Sequence, residues 1–448
     1  MNRKIWKALG IAVCMLALAA PRAMAETHRV GSEKQFKDAV EAINKPGDAK
    51  NEIILTQDIT LGGDPTQYTL YTLSRGETTI KGGGNKITIS NAGITVAKKG
   101  TVLNLGEKGY KGTLTIDGKT SGGFVSVLEG ATANMYENVT LQNWTSAGNA
   151  CVVIMGSDPV TGSKSVFNMR GAVMADSGTT FNMYGGEIRN REGSRGSGVH
   201  VFEATFVMSG GTISGCTANE GGGLYATNQS TITISGGTIS GCKAPSSDKG
   251  NGSGLYANKS TINISGGTIS GCEGRWGGGL YAENSSTIEI SGGTISGCKV
   301  GAGGGLFVDS STIRISGGII SECTTSDTGN GGGLYAKNST IKITGGRIEN
   351  NKAALGGGVA LIGDTTFEKP ITNWTVIGNE AYATGGVGGG IKLENGSMDV
   401  SDGSNRIYNN TADGHGADIC LEGGASSIKL PNAANMGAKY HDSGIKID

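Results

Sequence analysis

The phrase GGTISGC, followed by GGGLY, recurs along the middle of the chain. The apolar residue closing each glycine cluster falls at Leu224, Leu255, Leu280, Leu306 and Leu334, about 25 to 31 residues apart. Weaker copies stand at Val359, Ile391 and Ile419, with an early one at Val199. A unit this short cannot bury a core alone, so successive copies must stack on one another and form a rod.

Within one unit the hydrophobic pattern has period two. In Ser230-Thr231-Ile232-Thr233-Ile234-Ser235 apolar and polar residues alternate, which places one face inside and the other in water. The alternation returns at Ile262/Ile264, Ile288/Ile290, Ile313/Ile315 and Ile341/Ile343, and earlier at Phe181/Met183 and Phe206/Met208. A Gly-Gly pair leads into a second short strand, Thr238-Ile239-Ser240, and the GGGLYA segment supplies a third. Three short strands and three turns per unit describe one coil of a parallel β-helix, in which each strand pairs with its counterpart about 4.8 Å away. A right-handed winding is expected, because parallel crossovers overwhelmingly take that hand. About a dozen coils would make a rod roughly 60 Å long.

Composition agrees. Glycine supplies 80 of 448 residues without a Gly-X-Y period, which excludes collagen, and the regular Ile and Leu spacing excludes a disordered low-complexity chain. Formal net charge is zero, so neither nucleic acid nor an anionic membrane is indicated as a partner.

Residues 1–25 read as a signal peptide: Arg3, Lys4 and Lys7 precede an apolar run from Ala8 to Ala20, and Ala23-Met24-Ala25 supplies a cleavage site. The run is too short to span a bilayer, and no other stretch qualifies as a transmembrane helix. Cys14 lies inside the apolar run and does not suit a lipid anchor. A mature chain starting at Glu26, secreted or at the cell surface, is the expectation. In 26–51, Ser32-Glu33-Lys34-Gln35 has the form of a capping box, and Phe36, Ala39, Val40 and Ile43 follow at helical spacing before Pro46-Gly47. This predicts a capping α-helix over the first coil. The β-helix is expected over 52–430, with irregular early coils marked by Ile53-Ile54-Leu55, Ile87-Thr88-Ile89 and Leu114-Thr115-Ile116, regular repeats over about 188–419, and a tail at 431–448.

The order Asn350-Asn351-Lys352-Ala353 then Gly356-Gly357-Gly358-Val359, repeated as Asn379-Glu380-Ala381 then Gly388-Gly389-Gly390-Ile391, resembles the paired FxxN and GGA(I/L/V) motifs of the chlamydial polymorphic outer-membrane proteins. That resemblance, over roughly Ile188 to Ile419, implies right-handed parallel β-helices used in adhesion. Two features depart from it: Ile213, Ile239 and Ile348 stand where that family prefers Phe, and no segment after the repeats matches its C-terminal membrane barrel.

Cys216, Cys242, Cys272, Cys298 and Cys323 occupy one position in five successive coils, the position taken later by Asn351, Asn379 and Asn410. A buried ladder of unpaired thiols is the expected arrangement, because in-register neighbours point the same way at about the coil spacing, outside relaxed disulfide geometry. Strained disulfides and metal binding are the alternatives.

Three outward columns are candidates for binding. Tyr225, Tyr256, Tyr281, Phe307 and Tyr335 follow the buried leucines and should face out, one ring per coil, as a platform for sugars; the alternative is that the rings stack on one another and shield the glycine turn. Thr212, Thr238, Thr268 and Thr294 with Ser214, Ser240, Ser270 and Ser296 form a hydroxyl grid like that of ice-binding solenoids, or simply an exposed strand of high β-propensity. Thr233, Asn263, Glu289, Arg314 and Lys342 vary as a solvated face does, with Glu289 beside Arg314.

Pectin-degrading lyases and hydrolases share this solenoid, and Gly414-His415-Gly416 resembles the Gly-His-Gly of the hydrolases. Yet the acids nearest in sequence, Asp413 and Asp418, have no matching partners in neighbouring coils, and the regular coils carry no long insertion to build a cleft. The expected function is therefore an exported, non-catalytic, adhesin-like β-helix that binds a glycan or cell-surface ligand, with no catalytic residues, metal or cofactor. A polysaccharide lyase or glycoside hydrolase is the alternative, and an ice-binding solenoid a further one.

Overall fold

The computed structural model describes residues 26–46, 50–64, 66–118, 125–128, 131–142, 152–155, 173–175, 180–189, 192–193, 195–245, 250–395, 397–402, 404–414, 416–422 and 427–429. The proposed signal peptide with Cys14, the residue His415 and the tail at 431–448 lie outside them.

The described chain is a parallel β-solenoid. Its coils contribute to three long sheets of 13, 13 and 14 strands, here faces A, B and C. Face A contains Thr231–Ile234, Thr261–Ile264 and Thr287–Ile290, face B Thr238–Ser240, Thr268–Ser270 and Thr294–Ser296, and face C Leu224–Thr227, Leu255–Asn258 and Leu280–Glu283. The three strands per coil expected from the repeat are present. A fourth sheet, face D, adds seven two-residue strands between faces B and C, among them Lys243–Ala244 and Glu273–Gly274. Two residues are too few to show a period, so this sheet left no readable alternation.

Pairing keeps every repeat position on its own column. Ile232 pairs with Ile262 and Ile262 with Ile288, just as Leu224 pairs with Leu255 and Leu255 with Leu280. The inward residues of one coil, Leu224, Ala226, Ile232, Ile234, Ile239 and Cys242, are all at most 1% exposed. Each buried isoleucine or leucine contributes about 1.5 to 3 kcal/mol, so the stacked columns supply most of the stabilisation. The glycine cluster is required by close approach. A Cβ on Gly223 would lie 2.7 Å from the Gly254 carbonyl oxygen and 2.8 Å from Ile239 Cγ2, and one on Gly279 only 2.4 Å from Ile295 Cγ2.

The N-terminal end is closed by helix α1, Glu33–Ile43, whose Phe36, Ala39, Val40 and Ile43 are buried against the first coil. Ser32 caps it by accepting from Gln35 N at 3.2 Å, and the Gln35 side chain accepts from Gly31 N at 2.8 Å. The solenoid starts earlier than residue 52, because Glu26–Val30 already pairs in register with the next strand of face A. The early coils follow the same columns despite their variable loops, with Ile59 on Ile87 and Ile87 on Ile116.

Candidate functional site

The aromatic column lies outside the main core, as the alternation requires, but it is not exposed. Tyr225, Tyr256, Tyr281 and Phe307 are only 3 to 7% exposed and Tyr335 is half-buried. Parallel pairing sets each ring one coil from the next, which is a stacking distance. Tyr225 and Tyr256 stack at 4.8 Å between centroids with planes 2° apart, Tyr256 and Tyr281 at 5.6 Å and 5°, and Tyr281 and Phe307 at 4.9 Å and 29°. The ring faces are spent on one another, so the expectation of freely exposed platforms is corrected.

The borders of the stack are also filled. Trp276 meets Phe307 edge-on at 5.5 Å, and the Arg195 guanidinium lies 5.7 Å from the Tyr225 ring centre. Glu283 accepts from Tyr256 Oη at 2.6 Å, Tyr281 Oη at 3.0 Å and Asn258 Nδ2 at 2.7 Å. Burial pushes the Tyr225 phenol up to about 12. Burial and the Glu283 carboxylate hold the Tyr256 and Tyr281 phenols far above their usual range, so both donate to Glu283 as neutral phenols.

The cysteine column runs through the interior. All five thiols are free and fully buried, and each donates to a backbone carbonyl two residues earlier, as Cys272 does to Ser270 O at 3.4 Å. Hydrogen bonds between neighbouring ladder sulfurs hold Cys272 and Cys323 well above the ordinary thiol range and Cys242 and Cys298 well below it. The column then changes chemistry. Asn351 Nδ2 donates to Asn379 Oδ1 at 3.0 Å, Asn379 Nδ2 to Asn410 Oδ1 at 2.9 Å, and Asn410 Nδ2 to Asp418 Oδ1 at 2.9 Å. Asp418 is 4% exposed and belongs to this ladder, while Asp413 accepts from Gly385 N at 3.0 Å. Both acids near Gly414 and Gly416 thus bind their own backbone or ladder. Among the described residues, no group of three or more His, Cys, Asp or Glu side chains could hold a metal ion.

A second polar ladder, without charge, runs through serines. At the corner between faces C and A, Ser286 Oγ accepts from Ser260 N at 3.2 Å and Ser311 Oγ from Ser286 N at 3.1 Å. These serines are at most 5% exposed. Their recurrence one residue before each face A strand was the available signal.

Two surfaces keep unspent polar groups. On face B the threonine and serine columns are in register and partly exposed, with Thr238 on Thr268 and Ser240 on Ser270. On face A, Asn263, Glu289, Arg314 and Lys342 project from successive coils. They form one wall of an open groove of about 360 Å³ whose other side carries Ser265, Ser291, Ser316 and Thr344, one hydroxyl per coil. The charges here are loosely matched. Arg314 lies 3.9 Å from Glu289 and 3.8 Å from Glu368, and Lys342 lies 3.6 Å from Glu368, each side chain being about 40 to 50% exposed. Such pairs contribute little to stability and leave their donors available.

A family model described as a right handed beta helix region matches residues 150–317 and again 253–434, together well over half of the chain. No curated protein and no solved structure matches it.

Proposed function

The chain belongs to the right-handed beta helix family, and from that premise we propose that it is an exported, non-catalytic, adhesin-like protein that binds glycan along face A. The groove on that face carries the reading: it offers one hydroxyl and one amide or charged group per coil, which is the pattern a chain of hydroxyl-bearing sugar units would engage. The buried aromatic stack lies on another face, where it stiffens the rod and keeps the repeat in register. Short motifs resembling those of the chlamydial polymorphic outer-membrane proteins support adhesion, and export is supported by the sequence of residues 1–25, with Arg3, Lys4 and Lys7 before an apolar run and Ala23-Met24-Ala25 after it. The test is a glycan-array screen of the mature protein beside an assay for depolymerisation of polygalacturonate. Retention of array glycans without cleavage is the expected result; cleavage of the polymer would replace this reading with an enzymatic one.

A further inference from the structure

The groove on face A is richer in donors than in acceptors, and this bears on what it would hold. Arg314 and Lys342 project from adjacent coils into it, and Glu289 is the one acid among its lining residues, because Glu368 lies beyond them. The nearest carboxylates stand 3.6 to 3.9 Å from these cations, well outside the roughly 2.7 to 2.9 Å of a charge-assisted hydrogen bond. The guanidinium therefore keeps its fork of N–H groups, and the ammonium its three, for another acceptor. Ser265, Ser291, Ser316 and Thr344 add hydroxyls along the opposite side.

Resting on the glycan-binding reading above, we propose that the face A groove selects an anionic glycan, carboxylated or sulfated, lying along the solenoid axis. Acidic groups of the polymer would meet Arg314 and Lys342, whose coils are about 4.8 Å apart. Glu289 would accept from a sugar hydroxyl, and the serine row would donate to ring and hydroxyl oxygens. With the aromatic faces stacked on one another, recognition at this groove is electrostatic and hydrogen-bonded, so it weakens with salt.

The test titrates the mature protein with polygalacturonate, dextran sulfate and neutral dextran of matched length, at low and high salt. The Arg314→Gln/Lys342→Gln double variant and the face D variant Lys299→Gln are run beside the parent. Lys299 is exposed and unlinked to the groove, and all three positions are exposed enough for the fold to tolerate glutamine. The expected result is binding of one or both anionic polymers, weakened by salt, about tenfold weaker in the double variant and unchanged in Lys299→Gln. A response to polygalacturonate alone assigns the carboxylated class, and one to dextran sulfate alone the sulfated class. Equal binding of dextran, or a double variant that binds anionic polymer as the parent does, overturns the inference while leaving glycan binding standing. Failure to bind any of the three, with array glycans also unbound, overturns both.

Discussion

Asn410 Nδ2 donates to Asp418 Oδ1 at 2.9 Å, and the same oxygen accepts from Asn410 N at 3.1 Å. This contact ends the interior asparagine ladder. Each asparagine passes a donor to the next coil and needs an acceptor beyond it, so the last one requires a group that accepts without donating. A carboxylate at the third glycine position of the last described repeat meets that need.

Asp418→Ala should leave the Asn410 N–H and amide without partners in a dry interior and destabilise the protein by about 1 to 3 kcal/mol. Asp418→Asn, which keeps one carbonyl oxygen, should cost less. Urea unfolding of the three proteins checks the order; equal midpoints would show that the ladder does not depend on its terminus.

The thiol ladder should resist alkylation in the native protein and react fully in denaturant, since all five sulfurs are completely buried and out of reach of the reagent. Cys272→Ala should cost of order 1 kcal/mol by opening a small cavity. Mass spectrometry finding native disulfides between neighbouring ladder positions would refute the arrangement.

Tyr281 is stacked on both sides and hydrogen-bonded to Glu283. Tyr281→Phe should lower stability by about 1 kcal/mol, and Tyr281→Ala by roughly 3 kcal/mol. Neither should change affinity for a face A ligand under conditions where the variant is folded. A Tyr281→Ala protein of full stability and reduced glycan affinity would return the binding site to the aromatic column.

His200 lies edge-on against Tyr225, 4.8 Å away, with Nδ1 lacking a hydrogen-bond partner. Burial first, and then the Arg195 charge, push its pKa down from 6.5 to about 4. The unfolded chain therefore takes up this proton near pH 6.5, while the folded chain refuses it until about pH 4. The contribution is complete above the higher value and is lost as pH falls through that window, by roughly 1 to 3 kcal/mol. His200→Phe should flatten the pH dependence of the unfolding midpoint over this range; an unchanged profile would mean that His200 titrates normally.

Several elements were legible in the sequence, and for a common reason. Ile232, Ile262 and Ile288 share a column because the repeat fixes the register and period two fixes the side. Ser32 and the Phe36, Ala39, Val40 and Ile43 stripe were readable because capping and helical spacing are local rules. The cysteine ladder followed from the same register, and its free thiols from the spacing of in-register neighbours.

What alternation could not supply was the environment on the far side of a strand. It placed Tyr256 and Tyr281 outside the core, but whether an outward ring meets water or another ring depends on the coil spacing and on residues one coil away, such as Tyr281 and Glu283 for Tyr256. Asp418 looked like a candidate acid until the closing turn carried it beside Asn410. The groove likewise exists only because adjacent coils align Arg314 and Lys342 beside the serine row. Sequence periodicity by itself determined the solenoid, its register and its inward columns, since these follow from short-range sterics and burial repeated coil after coil. Which outward groups are covered, which acids are spent and which donors stay free was decided by the tertiary structure, because those depend on distances between coils that no single repeat encodes.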